Sequence, residues 1–187
     1  MTKPSHRDVK GSRARAPLRL AALLLVFPAT ALAGSPAVEV TGALPKRGAL
    51  ELKDLEAMKP EKATWTDHGK SQEMEGVPLA KILAAFGYEV GPMGKDVAPA
   101  EKRPGFKKVV VVTARDGFQA VFSCAELSDE IGATRALLVW KADGKPLPPE
   151  QGPIRLVVPT DKEASRSAWA VQKIEVVDLR TPKAKSP

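Results

Sequence analysis

The apolar positions of the chain are spaced as strands over most of its length and as a helix in one place. Apolar runs bounded by turn residues predict strands at 38–41, 50–52, 63–67, 108–113, 118–122, 136–140, 154–158 and 174–177. Leu79, Ile82, Leu83 and Phe86 lie at the i, i+3, i+4 and i+7 spacing of a helical stripe, which Gly87 ends. A further helical turn is expected before Pro60. The pattern favours an α+β, strand-rich domain.

Polar and Gly- or Pro-rich segments divide these elements. Loops are predicted at 68–76 and 91–104, and tight turns at Asp116-Gly117 and Asp143-Gly144. The four consecutive valines at 109–112 are typical of a strand that is buried on both faces. The segment 180–187 is polar and is expected to be a disordered tail.

Residues 1–33 have the three parts of a cleavable secretory signal: a basic start, an apolar run at 20–27 and Ala31-Leu32-Ala33. A retained amphipathic anchor is the alternative. The apolar run is too short to span a membrane, so no stable anchor is expected after cleavage. We therefore expect a periplasmic or secreted protein whose domain occupies residues 34–179.

The net charge of the domain, once the signal is set aside, narrows the kinds of partner that the protein is expected to bind. Residues 1–33 hold six of the 29 Lys and Arg residues and one of the 22 Asp and Glu residues, so cleavage lowers the net charge from +7 to about +2. No basic patch interleaved with aromatic residues remains, which argues against nucleic acid. The expected partner is a periplasmic protein or a small anionic ligand.

Four segments in order resemble one family. They are Gly-Val-Pro-Leu at 76–79, Ala-Arg-Asp-Gly-Phe at 114–118, Leu-Leu-Val at 137–139 with Asp-Gly-Lys-Pro-Leu at 143–147, and Gly-Pro-Ile-Arg-Leu-Val-Val-Pro at 152–159. The chain resembles the oxidoreductase molybdopterin-binding domain, the catalytic fold of sulfite oxidase. The resemblance implies a sulfite-oxidase-type fold and a molybdenum–pterin cofactor whose metal takes a cysteine thiolate from the protein.

At the position of that cysteine this chain has Thr66, whose hydroxyl is a hard ligand that stays protonated at neutral pH. The single cysteine, Cys124, follows the hairpin at 116–117, where relatives carry Leu, and is expected to be a small apolar core residue. The resemblance also places Glu150 and Gln151 where relatives have a histidine, and Trp169 where they have a basic residue. Molybdopterin therefore remains possible only by family resemblance.

Arg155 matches the family arginine that meets the pterin or the substrate anion. Arginine suits that role because its planar guanidinium grips an oxyanion through two hydrogen bonds. An ion pair with a buried carboxylate such as Asp116 is the structural alternative. The candidate pocket therefore comprises Thr66, His68, Asp116 and Arg155.

Three functional hypotheses remain open. In the first, the protein has left molybdenum chemistry and binds a ligand or a partner; an exposed Trp65 or Trp169 near the pocket would favour this. The signal lacks an adjacent arginine pair, unlike signals that export folded, cofactor-loaded proteins, and this too favours the first hypothesis. In the second, it is a molybdopterin-dependent oxidoreductase with atypical ligation. In the third, His68 and Asp67, with Glu73 and Glu75 nearby, hold a zinc or copper ion.

Overall fold

Strands dominate the domain, as the apolar pattern predicts. The computed structural model describes residues 37–89 and 106–180. Within them the strands are β1 (Ala37–Gly42), β2 (Gly48–Glu51), β3 (Glu61–Asp67), β4 (Lys70–Pro78), β5 (Lys108–Ala114), β6 (Gln119–Ser123), β7 (Leu137–Ala142), β8 (Lys145–Pro146), β9 (Arg155–Val157) and β10 (Val171–Asp178). The helices are α1 (Leu52–Ala57) and α2 (Leu79–Ala85), with a 3-10 turn at Ala164–Arg166. The predicted α+β class is confirmed.

The first sheet has the strand order β2-β1-β10-β5-β6. β1 and β10 are parallel, and the other neighbours are antiparallel. The two parallel strands approach closely at Gly42, where a Cβ atom would lie 2.1 Å from the carbonyl oxygen of Val176. The backbone at Gly42 also has φ +94°, so both space and conformation require glycine there.

The second sheet has the order β3-β4-β7, and β7 pairs on its other side with β8 and then β9. Val139 of β7 is the register partner of Arg155 in β9. Because successive side chains of a strand point to opposite faces, Leu156 enters the main core while Val157 packs on the other face. This parity places Arg155 on the same face as Val157.

The main core lies between the two sheets and the two helices. Val112 and Ile174 come from the first sheet, Leu138 and Leu156 from the second, and Leu83 from α2. The outer face of the second sheet carries a smaller apolar cluster made of Ala63, Trp65, Met74, Leu137, Val139, Leu147 and Val157. The second sheet is therefore covered on both faces, and the smaller cluster forms the base of the site described below.

Several local predictions are confirmed. α2 buries Leu79, Ile82 and Leu83, and Gly87 follows it with φ +81°. The turns at Asp116-Gly117 and Asp143-Gly144 join β5 to β6 and β7 to β8. The strand at 154–158 is present as β9, and all three of its residues are buried.

Two predictions are wrong. The predicted loop 68–76 is mostly β4, which pairs with β3 through a tight turn at His68-Gly69. The strand was not predicted because its first four residues are polar and largely exposed to solvent. The four valines at 109–112 are not buried on both faces: Val110 and Val112 are buried, whereas Val109 and Val111 are partly exposed on the outer face of the first sheet.

The predicted signal at 1–33 and the predicted loop at 91–104 lie outside the described residues, as does the tail beyond Arg180. No helix in residues 37–89 or 106–180 has the length and apolar character needed to cross a membrane.

Candidate functional site

The most unusual side chain of the domain is Arg155, a charged residue that is only 3% exposed. It lies in β9 beside the apolar cluster on the outer face of the second sheet. The strand alternation that sends Leu156 into the main core turns Arg155 towards Trp65. A buried charge costs free energy unless it is compensated, so its surroundings define the site.

Two tryptophan rings and one amide hold the guanidinium of Arg155. Its central carbon lies 4.3 Å from the ring centroid of Trp65 and 5.6 Å from that of Trp169. Both distances are within the range of cation–π attraction. Nη1 donates a 2.8 Å hydrogen bond to Oε1 of Gln151. The group is thereby fixed in place by an aromatic pair and one neutral acceptor.

The remaining donors of Arg155 have no acceptor within the part of the chain that the structure describes. Nε is buried and has no hydrogen-bond partner there. Among the described residues no carboxylate forms an ion pair with this guanidinium. Burial lowers the pKa of Arg155, and the negative charge of Asp67 opposes that shift. The side chain stays protonated at physiological pH, so it is a buried cation with only partial compensation.

A cleft of about 370 Å³ opens over this arginine. It is lined by Asp67, His68, Arg155, Glu163, Ala164, Ser165, Ser167 and Trp169. The hydroxyl of Ser167 is buried and has no hydrogen-bond partner in residues 37–89 and 106–180, and Trp169 is 47% exposed. The cleft therefore has polar donors at its base, an aromatic wall, and acidic side chains nearer the surface.

The structure does not bring Thr66 to this cleft. Trp65 and Asp67 point to the face that carries Arg155, so the residue between them points to the opposite face. Thr66 is exposed there, and its Oγ1 lies 2.9 Å from Oγ of Ser71 across the hairpin. At the cleft itself, the side chain of β3 is the carboxylate of Asp67.

Asp116 also lies apart from Arg155. Its Oδ1 accepts a 3.0 Å hydrogen bond from the backbone N–H of Phe118, which closes the β5–β6 turn. Asp116 lines a separate cleft with Arg115, Glu150, Trp169 and Ala170. No ion pair joins Asp116 to Arg155, because the turn places this carboxylate in solvent on the other side of Trp169.

His68 does reach the cleft, from the tip of the β3–β4 hairpin, where its φ is +47°. Its side chain is 94% exposed, and Nε2 lies 3.6 Å from Oδ1 of Asp67. Glu73 and Glu75 are engaged elsewhere, with Lys62 at 2.7 Å and Lys141 at 3.1 Å. Within the described residues, no group of three His, Cys, Asp or Glu side chains is arranged to hold a metal ion.

Cys124 is a free cysteine buried in the main core, as the sequence predicts. Burial raises the pKa of its thiol, and a hydrogen bond with the hydroxyl of Tyr88 acts in the opposite direction. The thiol is therefore neutral and enclosed. It does not line the Arg155 cleft.

Sequence reasoning missed part of the site. Gln151 was identified only as a replacement for a family histidine, and it proves to hold Arg155. Ser167 and Glu163 had no signal, because polar residues in a loop are usually solvated. Of the two tryptophans singled out, Trp169 is exposed at the cleft and Trp65 is buried under the guanidinium.

Comparison with known proteins agrees with this architecture. The family model described as oxidoreductase molybdopterin binding domain matches residues 31–184, so the chain belongs to that family. The fold is similar to that of the sulfane dehydrogenase SoxCD from Paracoccus pantotrophus, with a TM-score of 0.57 and 20% sequence identity. That match covers 76% of this chain and 38% of the SoxCD chain, and at this identity it shows the fold alone. A comparison with curated proteins finds no match.

The family implies a molybdenum–pterin cofactor, and the residues of this cleft do not fit its metal. The chain has one cysteine, and that cysteine is enclosed in the main core. Thr66 faces away from the cleft, so neither a thiolate nor the aligned hydroxyl is available there as a ligand. The side chains that could donate to a metal at this place are an exposed imidazole and hard carboxylates.

Proposed function

We propose that this protein is an exported member of the family that binds a small anion-bearing ligand in the Arg155 cleft without molybdenum chemistry. The observation that carries the proposal is the buried guanidinium of Arg155, which has aromatic rings and one amide around it but no carboxylate paired with it among the described residues. A partly compensated buried cation gains free energy when an anion approaches.

The geometry of Arg155 supports an oxyanion more than a point charge. Trp65 and Trp169 hold the guanidinium, while Gln151 occupies Nη1. Nη2 is the donor left for a ligand, since no described protein group accepts from it and the side chain lines the cleft. The unpartnered hydroxyl of Ser167 adds a second donor in the same cleft. Carboxylates, sulfonates and phosphates accept such paired donors.

The first experiment measures molybdenum and pterin in mature protein purified from the periplasm, by elemental mass spectrometry and by fluorescence of the oxidised pterin. We expect neither. Near-stoichiometric molybdenum with pterin would favour the oxidoreductase alternative and overturn the proposal. Zinc or copper that disappears in His68→Ala would instead favour a metal-binding protein.

The second experiment measures binding of small organic anions by calorimetry. Arg155→Met is expected to abolish binding, because the guanidinium supplies the charge. Arg115→Met is the matched control, because Arg115 is an exposed arginine of the neighbouring cleft. This control variant should bind the anions like the native protein. Equal binding by the two variants would place the ligand elsewhere and contradict the proposal.

Export is tested by cell fractionation and by the intact mass of the recovered protein. The basic start, the apolar run and the Ala31-Leu32-Ala33 segment predict a mature chain that begins at Gly34 in the periplasmic fraction. Full-length protein that stays in the cytoplasm would contradict this part of the proposal.

A further inference from the structure

The Arg155 cleft contains charges of both signs that are not paired with each other. Among the described residues no lysine or arginine lies within ion-pair distance of Asp67, although its negative charge acts on Arg155 from farther away. Glu163 lines the same cleft and forms no ion pair among the described residues. On the opposite face of the β3–β4 hairpin, by contrast, carboxylates such as Glu73 are matched with lysines.

These two carboxylates bear on which ligand the cleft accepts. An anion that reaches Arg155 must approach Asp67 and Glu163, and each of them repels it. A ligand that also carries a positive group reverses the sign of that interaction. The exposed indole of Trp169 adds an aromatic face, which attracts ammonium groups through its π electrons.

From this charge pattern we infer that the cleft selects a small zwitterion of the amino-sulfonate or amino-acid class. Its anionic group meets Arg155 and Ser167, and its ammonium group faces Asp67 and Glu163 alongside Trp169. The cleft volume of about 370 Å³ is at the small end of ligand sites, which fits a molecule of a few heavy atoms. This inference rests on the proposed function, because it assumes that Arg155 binds the anionic group.

Pairs of probes that differ only in the ammonium group test the inference. Taurine and ethanesulfonate share a sulfonate, and β-alanine and propionate share a carboxylate. We expect the zwitterion of at least one pair to bind the native protein about tenfold more tightly than its plain anion by calorimetry at low salt, because two partly screened attractions replace two repulsions. Ethylamine alone should bind more weakly than taurine.

Variants locate the source of that preference. In the double variant Asp67→Asn with Glu163→Gln, the tenfold ratio should fall to about one, and the plain anions should bind more tightly than they bind the native protein. Glu150→Gln is the control, since Glu150 lines the neighbouring cleft and its neutralisation should leave the ratio unchanged. If the double variant does not fold, the probe pairs on the native protein decide the question alone.

The outcomes separate this inference from the proposed function. Plain anions that bind as tightly as both zwitterions, and that need Arg155, would overturn the inference and leave the proposed function standing. Absence of binding by all four acidic probes would overturn both. Ethylamine binding that matches taurine and survives Arg155→Met would also overturn both, since the site would then recognise cations.

Discussion

Replacing Arg155 with methionine should leave the stability of the ligand-free protein nearly unchanged while removing the anion site. Methionine has a similar volume and no charge, so its flexible side chain can fill most of the space that the arginine stem occupies beside Trp65 and Trp169. If the guanidinium serves ligand binding and not folding, its removal should change the free energy of unfolding of the ligand-free protein only slightly.

The magnitude follows from the contacts of Arg155. The variant loses the charged hydrogen bond to Gln151, about 1.5–3 kcal/mol, since such bonds are stronger than neutral ones. It also loses about 2 kcal/mol of cation–π attraction to buried Trp65 and up to about 1 kcal/mol to exposed Trp169. Against this, it no longer carries the desolvation cost of a buried ion, several kcal/mol, or the roughly 1–3 kcal/mol of an unpartnered Nε. The interactions that the variant loses and the costs that it no longer carries agree within about 2 kcal/mol, so the free energy of unfolding should change by no more than that.

Urea unfolding followed by far-ultraviolet circular dichroism measures this difference. Tryptophan fluorescence is unsuitable as the probe, because two of the three tryptophans contact the substituted side chain. Arg155→Ala is the comparison, and it should be at least about 2 kcal/mol less stable than Arg155→Met because it leaves a cavity. A loss of more than about 4 kcal/mol in Arg155→Met would show that the guanidinium stabilises the fold, and the argument for a binding role would fail.

Three further predictions concern the scaffold. Gly42→Ala should lower the free energy of unfolding by more than about 2 kcal/mol in urea, because the new Cβ would meet the carbonyl oxygen of Val176. Gly69→Ala is the control: Gly69 also has a positive φ but has open space around it, so its loss of unfolding free energy should be only about 1 kcal/mol. Burial raises the pKa of the Cys124 thiol above its usual 9.0, so this thiol ionises at lower pH in the unfolded chain than in the folded one. The neutral buried thiol therefore stabilises the fold fully below pH 9, and this stabilisation is lost as the pH rises further. Cys124→Ala should accordingly lose less stability than the native protein between about pH 8 and pH 10. Thr66→Cys should react rapidly with a thiol reagent and gain no molybdenum, since position 66 faces solvent away from the cleft; slow labelling, as expected for Cys124, would contradict this.

The fold was largely predictable because apolar spacing reports burial. The stripe of α2 and the short apolar run of β9 were identified from spacing alone, since both are buried in the structure. β4 was missed because its residues 70–73 are polar and its apolar residues begin only at Met74. The prediction that β5 is buried on both faces was wrong for a different reason: its partly exposed face is also built from valine.

The site was less predictable, because it depends on which face of a strand each residue occupies. Thr66, which the resemblance aligns with the family cysteine, lies in the hairpin that borders the cleft, but its side chain points away from the cleft. A shift of one position along a strand moves a side chain to the other face, and spacing in a polar hairpin does not determine that parity. Arg155 was identified because it matches the family arginine within the Gly-Pro-Ile-Arg-Leu-Val-Val-Pro segment.

The alternation of side chains along β3 also decides which chemical groups the hairpin contributes to the cleft. β3 presents Trp65 under the guanidinium and Asp67 at the edge of the cleft, so this strand supplies an aromatic platform and a carboxylate to the site. A carboxylate near Arg155 tunes binding of charged molecules, whereas a metal of the molybdenum type needs a soft anionic ligand. In the function proposed above, the β3–β4 hairpin contributes electrostatic selection through Asp67, and substitution of Asp67 tests that contribution.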